Sequence, residues 1–168
     1  QPVTMINFLF LLLLLGASAS CFKLPQKFIM KGEVSCESPF QEVGGRCMYV
    51  DILNKGTWSV MRNHCKSLGG DLVKLNDGEV YAALIRHIHG NGFPIDYYWI
   101  GATDEGHEGL WVWIDQEPVQ MGTPYWANCG CDNDQMPTGG TAQNCALLDA
   151  HFHLYFNDGT CSQEANVI

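Results

Sequence analysis

Cysteine constrains this chain more than any other residue type: eight of them fall at positions 21, 36, 47, 65, 129, 131, 145 and 161 of 168 residues. In a reducing compartment such residues are thiols or metal ligands; in an oxidising one they become cross-links. The N-terminal stretch speaks for the second case. An uninterrupted apolar run from Phe8 to Leu15 is followed by "GASAS", with Ala17 and Ala19 placed for cleavage before Ser20. Residues 5–19 therefore read as a secretory signal peptide starting at Met5, although no Lys or Arg precedes the run. The run is shorter than the roughly 20 apolar residues that cross a bilayer. The expected product is secreted and extracellular, carries no membrane anchor, and is held by disulfides.

Residues 1–19 contain no charged side chain, so the formal charge of -9 belongs entirely to residues 20–168. An acidic secreted domain is a poor partner for nucleic acid or anionic membrane, which attract basic surfaces, and a good one for cations. Residues 20–35 read as a lead-in without clear period, and residues 36–168 as one domain large enough for a proper core.

Within that domain Cys36 and Cys47 bracket "ESPFQEVGGR", whose Pro and Gly-Gly suggest a hairpin-like loop closed by a disulfide. "CMYVDI" reads as a strand. "TWSVMRNHCKSLGG" predicts a helix capped by Thr57, with Trp58, Met61 and Cys65 at helical spacing and Gly69-Gly70 as its stop. A second helix is predicted from Asp77 to Gly90, its apolar stripe made by Val80, Leu84 and Ile88 and widened by Ile85. "YYWIGA" and "LWVWID" read as short aromatic strands. Residues 116–144 are rich in Gly, Pro, Asn and Asp without periodicity, the mark of a long functional loop. "CALLDAHFHLYF" and "TCSQEANVI" read as two strands joined around Asn157-Asp158-Gly159. On the first of them, His151 and His153 would alternate onto one face, a weak pointer to zinc. This order of elements makes an α+β domain.

The sequence from Cys36 to Ile168 resembles a C-type lectin-like domain, in its long form and in the secreted single-domain style of invertebrate immune lectins. "WIGATDEGHEGLWVWID" is similar to the family's central strands, with Trp99-Ile100-Gly101 at the hallmark motif. Cys65-Lys66-Ser67-Leu68-Gly69-Gly70 resembles the end of its first helix, and Asn144-Cys145 and Asn157-Asp158 before Cys161 fall where the family keeps an inner disulfide and calcium residues. The resemblance implies a fold of two helices flanking small antiparallel sheets, with a long irregular ligand-binding loop. It implies the disulfides Cys36–Cys47 and Cys145–Cys161, and a partner for Cys65 at the end of the last strand, about where the sequence stops; the domain is expected to lack that last cysteine by truncation. Cys21, Cys129 and Cys131 lie outside the pattern. A bridge between Cys129 and Cys131 would be strained, and Cys21 could reach another chain or the long loop.

The resemblance also implies a calcium ion in the long loop that sugar hydroxyls complete. Counting back from Cys145 places the family's three-residue ligand motif on Gln135-Met136-Pro137 and the acid before the cysteine on Gln143. Gln135, Gln143, Asn157 and Asp158 are thus the expected calcium and sugar ligands, with one charge among them. Asp132 or Asp134 could compensate. Shifting the register by one restores the proline but puts Met136 and Thr138 on the metal, which is chemically worse. So few carboxylates predict a weak site, of roughly 10⁻⁴–10⁻³ M. Asp104 and Glu108 resemble auxiliary calcium ligands, whose loop partners would be Thr138, Gln143 and Asn144, although a pair of exposed acids on a loop accounts for them as well. Glu117-Pro118-Val119 aligns with a turn. Trp99, Trp111 and Trp113 read as core, and Tyr125 or Trp126 as a residue that can stack on a sugar. No nucleophile elbow, metalloprotease helix or phosphate loop points to an enzyme. The expected function is calcium-dependent binding of microbial surface glycans in innate immunity, leaning to galactose through Gln135, with a homo-oligomer supplying avidity. The alternative is a calcium-independent domain of the same fold that binds a protein.

Overall fold

The computed structural model describes residues 34–129 and 134–168. The signal-peptide residues 5–19, most of the lead-in, Cys21, Cys131 and Asp132 lie outside the described residues, as does the side chain of Cys129.

The expected closed hairpin is present. Strands β1 (Gln41–Val43) and β2 (Arg46–Met48) pair antiparallel across Gly44 and Gly45, and the Cys36–Cys47 disulfide ties them to the preceding segment. Both glycines have positive φ, 61° and 81°, the region that residues with a Cβ avoid. The strand expected over "CMYVDI" is interrupted: β2 ends at Met48, and β3 (Asp51–Gly56) starts only after Tyr49 and Val50.

Helix α1 (Trp58–Ser67) starts as its sequence predicts, with Thr57 Oγ1 accepting from the Val60 N–H, and buries Trp58, Met61 and Cys65. Leu68 caps its end, and Gly69 (φ 84°) turns the chain so that the Gly70 N–H reaches the Cys65 carbonyl. Helix α2 (Gly78–Gly90) is capped by Asp77, whose carboxylate accepts from the N–H groups of Glu79 and Val80; it buries Val80, Tyr81, Leu84 and Ile88.

The main sheet is built on β4 (Tyr97–Thr103), buried from Tyr98 to Ala102. β5 (Val112–Trp113) pairs with it, a shorter strand than "LWVWID" suggests. In the long loop, β6 (Asn128–Cys129) and β7 (Asp134–Gln135) form a small ribbon. β8 (Cys145–Asp149), β9 (Tyr155–Gly159) and β10 (Ala165–Val167) complete the sheet in the order β3-β10-β4-β8-β9. Its ladders are antiparallel except β10 against β4, which is parallel. The Cys145–Cys161 disulfide spans from the start of β8 to the turn after β9.

The reading of residues 145–156 as one strand that turns at Asn157-Asp158-Gly159 is corrected. Those three residues lie inside β9, paired with Leu147, Ala146 and Cys145. The turn lies earlier, at a 3₁₀ segment over 150–152 followed by His153 and Leu154, both left-handed at φ 56° and 65°. The Asp149 carboxylate accepts from the His151 N–H, the Leu154 N–H returns to the Asp149 carbonyl, and the Leu154 carbonyl accepts from the Tyr81 hydroxyl. These bonds outweigh the strand propensity of the segment. His151 and His153 consequently do not alternate on a strand.

Two apolar clusters result. One joins α2 to Tyr98, Ile100, Trp111, Trp113, Trp126 and Phe156; the other places Trp58 and Met61 of α1 against Trp99 and Leu147. Trp58 and Trp99 are locked by indole N–H bonds of 2.9 Å to the carbonyls of Ile100 and Gly56.

Candidate functional site

Asp158 is where the sheet meets the long loop. It stands on β9 opposite Ala146, 4% exposed, and its Oδ2 accepts from the backbone N–H groups of Thr138 (3.0 Å) and Gly139 (2.5 Å). Its Oδ1 is buried and has no hydrogen-bond donor. The loop is shaped to come this close. A Cβ on Gly139 would lie 2.0 Å from Gln143 Oε1, so Gly139 lets the Gln143 side chain fold back over the 3₁₀ turn of residues 140–142.

The other end of that turn meets the loop after β4. The Asn144 carbonyl accepts from Thr103 Oγ1 (2.6 Å) and the Asp104 N–H (3.3 Å), while Asn144 Nδ2 donates to the Thr141 carbonyl. Asp104 accepts the Gly109 N–H at 2.8 Å through Oδ2. It is 4% exposed, so the expectation of a surface acid does not hold for it; Glu108 is exposed. Glu108 Oε1 lies 4.0 Å from where a Gly140 Cβ would stand. Asp104 Oδ1 and Asn144 Oδ1 are, like Asp158 Oδ1, buried acceptors without a donor.

Gln135 and Asn157 have other partners. Gln135, exposed on β7, donates through Nε2 to the carbonyls of Trp126 (3.3 Å) and Ala127 (3.5 Å). Asn157 Nδ2 donates to Asp149 Oδ2 (3.2 Å), and Asn157 Oδ1 accepts the Asp158 N–H (2.9 Å). The Met136–Pro137 peptide is cis; Met136 packs on the core and its Sδ accepts from Thr138 Oγ1 at 3.3 Å. Asp134 is exposed on β7. The contacts therefore gather Asp158 and Gln143 on one side of residues 138–144, and Asp104, Glu108 and Asn144 on the other. Gln135 and Asn157 are turned to the Trp126–Ala127 backbone and to Asp149.

Tyr125 and Trp126 are buried, 8% and 1% exposed, with the Trp126 indole N–H bound to the Gln120 carbonyl. Both pack around Phe156, so neither offers a face for stacking. Sequence reasoning also passed over Asp149. This buried carboxylate orients His151 through its Nδ1 (3.1 Å) and holds Asn157. Its signal was the Asp-Ala-His order, an aspartate placed to bond the N–H two residues on.

Calcium takes oxygen ligands from carboxylates, amides and carbonyls alike. Three buried acceptors lacking donors, two of them carboxylate oxygens, fit that chemistry, because a cation supplies what no N–H provides. Among the described residues no three His, Cys, Asp or Glu side chains come together as a metal-binding group, so any shell draws on amide and backbone oxygens.

The profile of the Lectin C-type domain matches residues 54–168. Human C-type lectin domain family 4 member D is 25% identical over 121 residues, 71% of this chain and 52% of that protein. Drosophila melanogaster C-type lectin 37Db is 34% identical over 71 residues, 42% and 44% of the two chains. The chain thus spans about half the length of these relatives. Among solved structures, the carbohydrate-recognition domain of the mouse scavenger receptor C-type lectin superposes with a TM-score of 0.62 at 26% identity, over 78% of this chain and 91% of that one. A calcium-independent type II antifreeze protein superposes equally well, TM-score 0.62 at 21% identity over 80% and 92%, which shows shared fold alone. With the hallmark strand, the two disulfides and the helix order in place, this chain belongs to the C-type lectin domain family.

Proposed function

We propose that this chain is a secreted lectin that binds glycans with the help of a weakly held calcium ion, recognising sugars of microbial surfaces in innate immunity. The observation that carries the reading is the set of donorless buried oxygens on Asp104, Asn144 and Asp158 around residues 138–144. Asp158 and Gln143 would hold the ion on one side of the turn, while Asp104, Asn144 and Glu108 on its other side would form the auxiliary set. Bound there, calcium would supply positive charge and open coordination positions for vicinal hydroxyls. The chain's own residues do the rest. Asp158 fixes the loop through Thr138 and Gly139, and Gln143 covers the turn. Gln135, the residue behind the lean to galactose-type sugars, and Asn157 would have to exchange their present partners to join the set. No helix among the described residues is long and apolar enough to cross a membrane.

A second reading is a calcium-independent binding domain. It is favoured by the amides of Gln135 and Asn157, already spent on protein acceptors, and by the lack of a three-acid group among the described residues.

Thermal melting with calcium and with EDTA separates the two. A bound ion stabilises the fold by about 2.7 kcal/mol when calcium stands a hundredfold above Kd, and each kcal/mol raises Tm by roughly 2–4 °C in a domain of this size. The lectin reading expects a rise of several degrees with calcium that Asp158→Asn abolishes, and glycan-array binding that calcium strengthens. Equal melting in calcium and EDTA would favour the second reading.

A further inference from the structure

Beside the β8–β9 turn lies an open groove of about 310 Å³, lined by Phe152, His153 and Tyr155 from that turn and by Pro124, Trp126 and Asn128 from the start of the long loop. Among the described residues that line it, none is Lys, Arg, Asp or Glu. This is a fold that buries Trp99, Trp113 and Trp126 completely, yet Phe152 and Tyr155 each remain 41% exposed along the groove. Exposed aromatic faces with a few hydrogen-bonding groups beside them suit a ligand that is apolar on one face and hydroxylated at its edges. The missing charges argue for a neutral ligand, and the volume, at the small end of ligand pockets, for one or two rings rather than a helix.

The rim is preorganised. Leu154 is fully buried, its N–H and carbonyl are tied to Asp149 and Tyr81, and the left-handed His153 and Leu154 set the aromatic residues on either side of that anchor. Two successive non-glycine residues in that region are uncommon, and such conformations concentrate at binding sites. A rim fixed before the ligand arrives loses less freedom on binding. The groove is also continuous with the long loop, because Asn128 lines it and pairs with Gln135 in the β6–β7 ribbon.

We propose that this groove is a calcium-independent saccharide subsite. A neutral pyranose lays its C–H face on Phe152 and Tyr155, and Asn128 and His153 hydrogen-bond its hydroxyls. The assignment takes its ligand class from the glycan-binding reading but needs no metal.

The test is an array of neutral mono- and oligosaccharides of galactose, mannose, glucose and fucose, probed with the whole chain in calcium and in EDTA. The proteins are wild type, Phe152→Ala, Tyr155→Ala and, as a control for general stickiness, Leu53→Ala, which removes an apolar side chain 85% exposed on β3. Binding that persists in EDTA, falls roughly tenfold in both aromatic variants and is unchanged in Leu53→Ala is expected. Melting curves establish that each variant is folded; should Tyr155→Ala unfold, Phe152→Ala carries the test. Binding that EDTA abolishes and the aromatic variants retain would overturn the subsite and leave the calcium lectin standing. Folded protein that binds no sugar in either condition would overturn both readings.

Discussion

Cys65 has no disulfide partner among the described residues and is buried in α1, 8% exposed. Burial, reinforced by the charges of Asp71 and Asp51, pushes its thiol up to about 11. The reactive form is the thiolate. Raising the value from 9.0 to about 11 lowers the thiolate fraction near neutrality about a hundredfold, before steric protection is counted. Iodoacetamide at pH 7, read by peptide mass, should leave Cys65 unmodified in the folded protein and label it readily in urea. Because the folded value is raised, the neutral thiol's contribution to stability is present below the ordinary cysteine range and is lost as pH climbs towards 11. Rapid native labelling would show that this part of α1 opens. The residue scale is also where prediction from sequence reaches its limit at the site. Gln143 could be picked out by counting back from Cys145 and Asp158 by the Asn-Asp pair before Cys161, but the partners that hold Gln135 and Asn157, the Trp126 carbonyl and Asp149, are contacts across the folded loop and strands that no count along the chain reveals.

At the scale of elements, Gly101 shows how tightly β4 is held. Its N–H donates to the Val73 carbonyl and its carbonyl accepts from the Ile114 N–H, so coil passes close on both sides. A Cβ there would lie 2.9 Å from the Leu72 carbonyl and 3.1 Å from that of Val73. Backbone oxygens cannot swing aside as side chains do, so Gly101→Ala should cost about 1–3 kcal/mol in urea denaturation; a neutral result would mean that the 72–73 segment relaxes freely. The two helices were legible because their signals are local: Thr57 and Asp77 cap within three residues, and the apolar stripes repeat at helical spacing. The 145–159 region was not. Its apolar residues read equally well as a long strand, and what breaks it is a bond from Tyr81, 73 residues earlier in the chain, to the Leu154 carbonyl. The left-handed pair there costs roughly 1–3 kcal/mol per residue, a cost that only the folded surroundings offset.

For the whole molecule, acidity sets the working range. Burial alone would raise the carboxyls of Asp51, Asp71 and Asp96, but hydrogen bonds outweigh it and hold all three below the usual range: Asn54 and backbone N–H groups at Asp51, Arg62 and the Leu72 N–H at Asp71, Lys55 and the Tyr97 N–H at Asp96. Depressed carboxyls contribute stability that is present above the ordinary aspartate value of about 3.9 and disappears as pH falls through their lower folded values. The urea midpoint should therefore drop steeply below about pH 4, and Arg62→Met, which removes the two-pronged bond to Asp71, should make that drop shallower. A midpoint flat down to pH 3 would contradict it. The strand order has its own consequence. β10 lies between β3 and β4, with Val167 opposite Asp51, so the polypeptide enters and leaves the sheet side by side. A fold whose entry and exit share one seam can be spliced into a longer polypeptide as a cassette, or have its ends joined and be reopened elsewhere, without redrawing the strand order that supports Asp158.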